Sequence, residues 1–263
     1  MTETNTRPLT ATALHLGTRF RRRLTGTVVR AFRPLLRVNM VAYRLDVANA
    51  LFPTGVADGE VAGPTPARLL FLGDSAASGY GVLNHGLGVV SQSARYTARE
   101  HSIGCSWTTM TGPELTVTRA ATQLTKTSLD VDAIVVIVGP PDVLTGTTVN
   151  EWSASLERIV ELVRQGPRPD CAIVFAAVPP MYRFRSMPTF VKRILALQIL
   201  RLNQTTIELA AAHPTVSYSP FPRLDAFGSF IPEVHTWRTI HSAWGRQLGA
   251  TIANAIRPET LTN

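Results

Sequence analysis

Apolar residues form two kinds of pattern along this chain. Leu69–Leu72, Ala133–Val138 and Ala172–Val178 are short runs with no polar break, and Thr215–Ser219 is a short strand-like segment. Each has the length of a strand, and an unbroken run suits a strand covered on both faces. Cys105–Met110 and Leu115–Thr118 read as two more strand-like pieces, split by Gly112-Pro113. Between these runs the spacing changes to that of helices. Gly88–His101 is one such segment. Leu156, Ile159, Val160 and Val163 form another, headed by the capping-box pattern Thr148-x-x-Glu151 and stopped by Gly166-Pro167. A long helical pattern runs from Phe190 to Ala212 and ends before Pro214. Trp244, Leu248, Ile252 and Ile256 then line one face of a last helix, followed by Pro258. Strands alternating with helices predict an α/β fold. Right-handed crossovers make it a flavodoxin-like, doubly wound parallel sheet of about five strands with helices on both faces. The strand carboxyl ends then share one rim, where ligands bind in such sheets.

Residues 1–66 follow a different pattern. Nine arginines and no acidic residue lie between Arg7 and Arg44. Leu16, Phe20, Leu24, Val28, Phe32, Leu35, Leu36, Val41 and Leu45 are interleaved with them, several at helical spacing. Pro34 ends or kinks a helix begun near Thr18. Two readings fit residues 7–45: a basic amphipathic segment on an anionic membrane surface, or a helix packed on its own domain with its arginines in water. Pro53, Gly55, Gly59, Gly63, Pro64 and Pro66 mark a linker by composition. The expected division is therefore a basic segment and linker at 1–66 and an α/β domain at 67–263.

Composition narrows the function classes. The chain has 263 residues and a formal net charge of +8, enough for one large domain with an appendage. The positive charge is carried by arginine, without the pattern of a nucleic-acid module, so no specific nucleic-acid partner is expected. No apolar run approaches the ~18–20 residues of a membrane span, and no signal-peptide pattern follows Arg21–Arg23. The expected location is cytoplasmic, peripheral to the inner membrane face if residues 7–45 bind lipid. Cys105 and Cys171 show neither metal-ligand spacing nor a disulfide framework.

The chemistry concentrates in Arg68–Val82, Arg-Leu-Leu-Phe-Leu-Gly-Asp-Ser-Ala-Ala-Ser-Gly-Tyr-Gly-Val. A strand runs into Gly73, and Ser75 stands at its carboxyl end, the placement of a nucleophile. This block, Gly73-Asp74-Ser75 with Gly79 and Gly81 behind it, resembles the nucleophile block of the SGNH, or GDSL, hydrolases. Two further stretches carry the likeness. Val138-Gly139-Pro140-Pro141-Asp142-Val143 stands where the family has Gly-x-Asn-Asp. His235, His241, Trp244 and Gly245 are spaced like the family's terminal block. The resemblance runs from about Arg68 to Ile256.

What the resemblance implies is a serine esterase or lipase that needs no metal or organic cofactor and acts on a small-molecule or lipid ester. Ser75 is the nucleophile, His235 the base with His241 as the alternative, and Glu233 the acid that orients the imidazole. The family's oxyanion hole uses the serine N–H, a glycine N–H and an asparagine amide. Here the glycine position falls on Ala120, which keeps an N–H, and the asparagine position is Pro141, which has neither an amide side chain nor an N–H. The aspartate position three before the histidine is Pro232. Losing one oxyanion donor costs ~10²–10³ in rate, and losing the orienting acid ~10⁴. The competing expectation is accordingly a catalytically silent protein of the same fold, acting as a binding or membrane-surface scaffold. After Pro180, the apolar residues Met181, Tyr182, Phe184, Met187 and Phe190 fit either an acyl-chain site or plain core.

Overall fold

The structure is a computed structural model that describes residues 33–127, 129–184, 187–223 and 236–256. Its elements, in chain order, are α1 (Arg33–Asn49), β1 (Gly59–Val61), β2 (Ala67–Gly73), α2 (Val89–His101), β3 (Cys105–Thr111), α3 (Val117–Leu124), β4 (Ala133–Ile137), α4 (Pro140–Thr145), α5 (Val149–Arg164), β5 (Ala172–Ala176), α6 (Thr189–Ala212), β6 (Val216–Ser219) and α7 (Trp237–Ala255). The six strands form one sheet in the order β1-β3-β2-β4-β5-β6. β1 is antiparallel to β3, and the other neighbours run parallel.

Alternation along each strand divides the core in two. Leu70, Leu72, Ile134, Val136, Ile173 and Phe175 face a core shared with α1 and α3–α6. Leu69, Phe71, Val135, Ile137 and Val174 face a second core shared with α2 and α7. Because both faces are covered, the strands read as continuous apolar runs rather than as alternation. The parallel α/β architecture follows from this pattern, with one strand more than expected. β3 and β4 flank β2 on opposite sides, so the connections leaving β2 and β3 diverge. That divergence opens a crevice above the carboxyl end of β2.

The helix boundaries have local causes. α5 begins with the expected capping box: Glu151 N–H donates to Thr148 Oγ1 at 3.2 Å, and Thr148 N–H donates to Glu151 Oε2 at 2.7 Å. Leu115–Thr118, read as a strand from its β-branched residues, instead starts a helix. Thr116 caps α3, and the Asp142 carboxylate accepts the Val117 N–H at 3.0 Å. A tertiary cap has overridden local propensity there.

The larger correction concerns the region before residue 67. Gly59–Val61 is not linker but the edge strand β1, held against β3 by its ladder and by the Trp107 indole N–H, which donates to Ala57 O at 3.0 Å. α1 packs on α4, with Leu36, Met40 and Tyr43 buried in the larger core. Pro34 lies in the first turn of α1, where its missing N–H costs nothing. The folded unit thus reaches back at least to Arg33. The arginine-rich residues 7–32 lie outside the described residues. No described helix is long and apolar enough to cross a membrane.

Integration of α1 has a measurable consequence. Leu36→Ala deletes a fully buried side chain and is expected to cost about 2–5 kcal/mol in denaturant unfolding. A loss below about 0.5 kcal/mol would mean that α1 is an appendage.

Candidate active site

β2 ends at Gly73 for a steric reason. A Cβ there would overlap Ala77 and the Ile137 carbonyl oxygen. This close approach lets Asp74 N–H donate to Ile137 O at 3.0 Å, one step beyond the ladder. The chain then turns sharply: Ser78 N–H donates to Asp74 O at 3.0 Å and Tyr80 N–H to Ser75 O at 2.9 Å. Gly81 has φ +78°, and a side chain at that position would run into the Trp237 ring. These constraints place Ser75 above the carboxyl end of β2, buried, in the floor of a cavity of about 230 Å³. Met181, Phe184, Phe221, Trp237 and Trp244 supply its aromatic and thioether wall. Phe221 lies edge-on to Trp244, with ring centroids 4.9 Å apart. The Trp244 indole N–H is buried and meets no acceptor among the described residues.

Ser75 Oγ has one side-chain hydrogen-bond partner among the described residues. Tyr43 Oη, from α1, stands 2.9 Å from it and also donates to Pro113 O at 2.8 Å. One turn on, Asp46 accepts the Tyr80 hydroxyl at 2.7 Å, so α1 forms one side of the cavity. Sequence reasoning missed both residues. The available signal was the buried stripe Leu36, Met40, Tyr43 and Val47, spaced four, three and four apart.

Two buried carboxyl groups flank the serine turn. Asp74 Oδ1 accepts the Ala76 N–H at 3.0 Å, while Oδ2 has no hydrogen-bond partner within normal distance among the described residues, the Gly139 N–H acting on the carboxyl group only weakly. Burial pushes the pKa of Asp74 up to about 8 against the pull of that N–H, and nearby Asp142 adds to the rise. Asp142 accepts from Val117 N–H and from the Thr147 hydroxyl, each at 3.0 Å. Burial pushes its pKa up to about 7, with these hydrogen bonds opposing.

The remaining expected site residues separate into groups. His241 lines the cavity, but both of its ring nitrogens are engaged. Nδ1 accepts the Val89 N–H at 3.1 Å, capping α2, and Nε2 lies 2.9 Å from Tyr80 O, to which it donates. Burial lowers the pKa of this imidazole, in keeping with a neutral ring. Ala120 is fully buried inside α3, and its N–H is donated to Thr116 O at 2.9 Å. It is therefore committed within the helix and not available to an oxyanion. Pro141 is buried in the first turn of α4 and offers no donor. No acceptor is found for Ser75 N–H among the described residues. Pro232, Glu233 and His235 lie outside the described residues. Of the apolar set after Pro180, Met181 and Phe184 line the cavity, Tyr182 and Met187 pack on the core, and Phe190 is exposed.

A serine on a tight turn after the first long strand, at the switch point of a parallel sheet, places the protein among the α/β hydrolytic folds. The chain belongs to the GDSL-like lipase/acylhydrolase family, also called the SGNH hydrolases, whose model matches residues 71–250. Solved structures agree in fold. The lipase Lip_vut3 from a goat rumen metagenome superposes with a TM-score of 0.55 at 15% identity, over 70% of this chain and 97% of that one. A lipolytic G-D-S-L family member from Veillonella parvula DSM 2008 gives 0.51 at 18%, over 68% and 94%. TesA gives 0.51 at 15%, over 73% and 98%. A search of the curated proteins finds no match.

The two raised carboxyl pKa values make a prediction about pH. A folded-state pKa above the unfolded value contributes stability that is complete below about pH 4 and lost as pH rises through 7 to 8. Asp74→Asn removes that loss at one site. The stability of the variant relative to wild type should therefore improve as pH rises from 4 to 8, by at most about 1.4 kcal/mol per pH unit. Thermal melting across that range measures it, and a pH-independent difference would show Asp74 ionised throughout.

Proposed function

We propose that the protein is a serine acyl-hydrolase that cleaves a small-molecule or lipid ester. The observation that carries the reading is Ser75 on its constrained turn, in the floor of an apolar cavity at the sheet's switch point. In this reading His235 takes the Ser75 hydroxyl proton as Oγ attacks the ester carbonyl. The tetrahedral intermediate collapses, the alcohol leaves with the proton held by His235, and an acyl-serine remains. Water attacks that ester, His235 receives its proton, and Ser75 regains it as the carboxylic acid departs. Glu233 orients the imidazole. His241, with Nδ1 and Nε2 bound to backbone, serves as a cap rather than as the base.

A second reading is a silent member of the family, serving as a scaffold. It is favoured by the loss of two oxyanion donors, since Pro141 has no N–H and the Ala120 N–H is bound within α3. A fluorophosphonate probe separates the two readings. The hydrolase reading expects stoichiometric labelling that vanishes in Ser75→Ala, with p-nitrophenyl ester turnover falling at least about 10³-fold in Ser75→Ala and in His235→Ala. Folded wild-type protein that takes no label and turns over no ester supports the scaffold.

We further propose that residues 7–45 meet an anionic membrane surface. Val38, Val41 and Leu45 form an exposed apolar stripe on α1, opposite its buried face, and the arginines before it supply positive charge. Sedimentation with phosphatidylglycerol vesicles tests this. Binding should weaken with salt and in a Val38→Ser/Val41→Ser/Leu45→Ser variant, and equal binding to neutral vesicles would count against it.

A further inference from the structure

The oxyanion site has lost donors at two positions, and a hydroxyl stands beside the nucleophile that the family pattern does not supply. Tyr43 Oη is 2.9 Å from Ser75 Oγ and 2.8 Å from Pro113 O. A phenol carries one proton, and a carbonyl oxygen can only accept. With the Tyr43 proton on Pro113, the Ser75 hydroxyl can donate to Tyr43 Oη, leaving the two oxygens in contact and the phenol free to reorient. Turning the phenol's O–H toward the cavity needs only a rotation about its C–O bond. Tyr43 is buried, and α1 is clamped on the same side by the Asp46–Tyr80 bond. The donor is therefore held in place before any substrate arrives.

We propose that Tyr43 is a catalytic residue that donates a hydrogen bond to the oxyanion formed on Ser75, in place of the amide absent at Pro141. The proposal rests on the acyl-hydrolase reading. When Oγ gives up its proton and bonds to the ester carbon, it no longer donates to the phenol. The negative charge then develops on an oxygen one carbon away from Oγ. The phenol O–H leaves the neutral Pro113 carbonyl for this charged acceptor, the stronger of the two. When the intermediate collapses, the charge disappears and the phenol returns to Pro113. No proton is transferred to or from Tyr43. Burial raises the pKa of Tyr43, which keeps the phenol protonated and makes it a donor rather than a base. A tyrosine that only pinned α1 to the end of β3 would need the Pro113 contact alone.

The test uses the full chain with Tyr43→Phe, which keeps the ring and removes the donor. The expected result is a fall of about 10²-fold in kcat for a p-nitrophenyl ester, with KM changed by less than about threefold. A trifluoromethyl ketone labelled with ¹³C at the carbonyl, added to Ser75, reads the oxyanion directly. The pH at which the hemiketal carbon titrates should rise by about one to two units in Tyr43→Phe. Leu36→Ala loosens the same helix but keeps the phenol, and it should move that titration less than Tyr43→Phe does. Should Tyr43→Phe fail to fold, 3,5-difluorotyrosine at position 43 keeps the phenol and strengthens its donation, and the titration should then fall. A labelled, active wild type whose hemiketal titration and kcat are unchanged in Tyr43→Phe overturns this proposal and leaves the hydrolase reading standing. A wild type that accepts neither fluorophosphonate nor ketone overturns both.

Discussion

The structure depends on one close approach of two backbones. β2 and β4 pair in parallel up to Gly73 and Ile137, and Asp74 then donates its N–H to the Ile137 carbonyl. Only a residue without Cβ at position 73 lets the chain leave the sheet at that point. Everything at the carboxyl rim follows from that departure. The turn after it fixes Ser75, brings Tyr80 O to His241 and seats Gly81 against Trp237. The cavity exists because β3 and β4 lie on opposite sides of β2, so the connections that leave β2 and β3 lead away to opposite sides.

Around this turn, residues with the look of chemistry do backbone work. Asp142 satisfies the first N–H of α3, and His241 satisfies the first N–H of α2. An orphan amide at a buried helix start costs as much as a lost hydrogen bond, so each polar side chain has a structural reason to be there. This bears on how far the acyl-hydrolase chemistry can be read from residue type. A buried imidazole that accepts from one amide and donates to one carbonyl has no lone pair left for a serine proton.

Much of the fold was legible because both sheet faces are covered. Ala133–Val138 and Ala172–Val178 have no reading other than buried strand or short buried helix, and their flanking Pro and Gly residues decide between these. The capping box at Thr148 and Glu151 is local chemistry and was readable as such. Leu115–Thr118 was not, since its helix depends on a carboxylate 25 positions away in sequence. The same limit applies to Ala120: its N–H is unavailable because of that helix, which the local sequence does not announce. Gly59–Val61 escaped notice because an edge strand of three residues, one of them glycine, has no periodicity to detect. Ser75 was readable from the strand and the glycines around it. Tyr43 was not, since the apolar pattern before Asn49 offers two faces and only packing chooses between them: Met40 and Tyr43 are buried, while Val41 and Leu45 are exposed.

The position of α1 also sets an order of assembly. Its docking surface includes α4, made about a hundred residues later in the chain, and the carbonyl that accepts the Tyr43 hydrogen bond lies 70 residues on. On a ribosome this helix emerges early and finds no partner until the central strands have formed. Its burial is a long-range closure of the kind that comes slowly and late. For that interval the nascent chain carries an uncovered apolar face made of Leu36, Met40 and Tyr43.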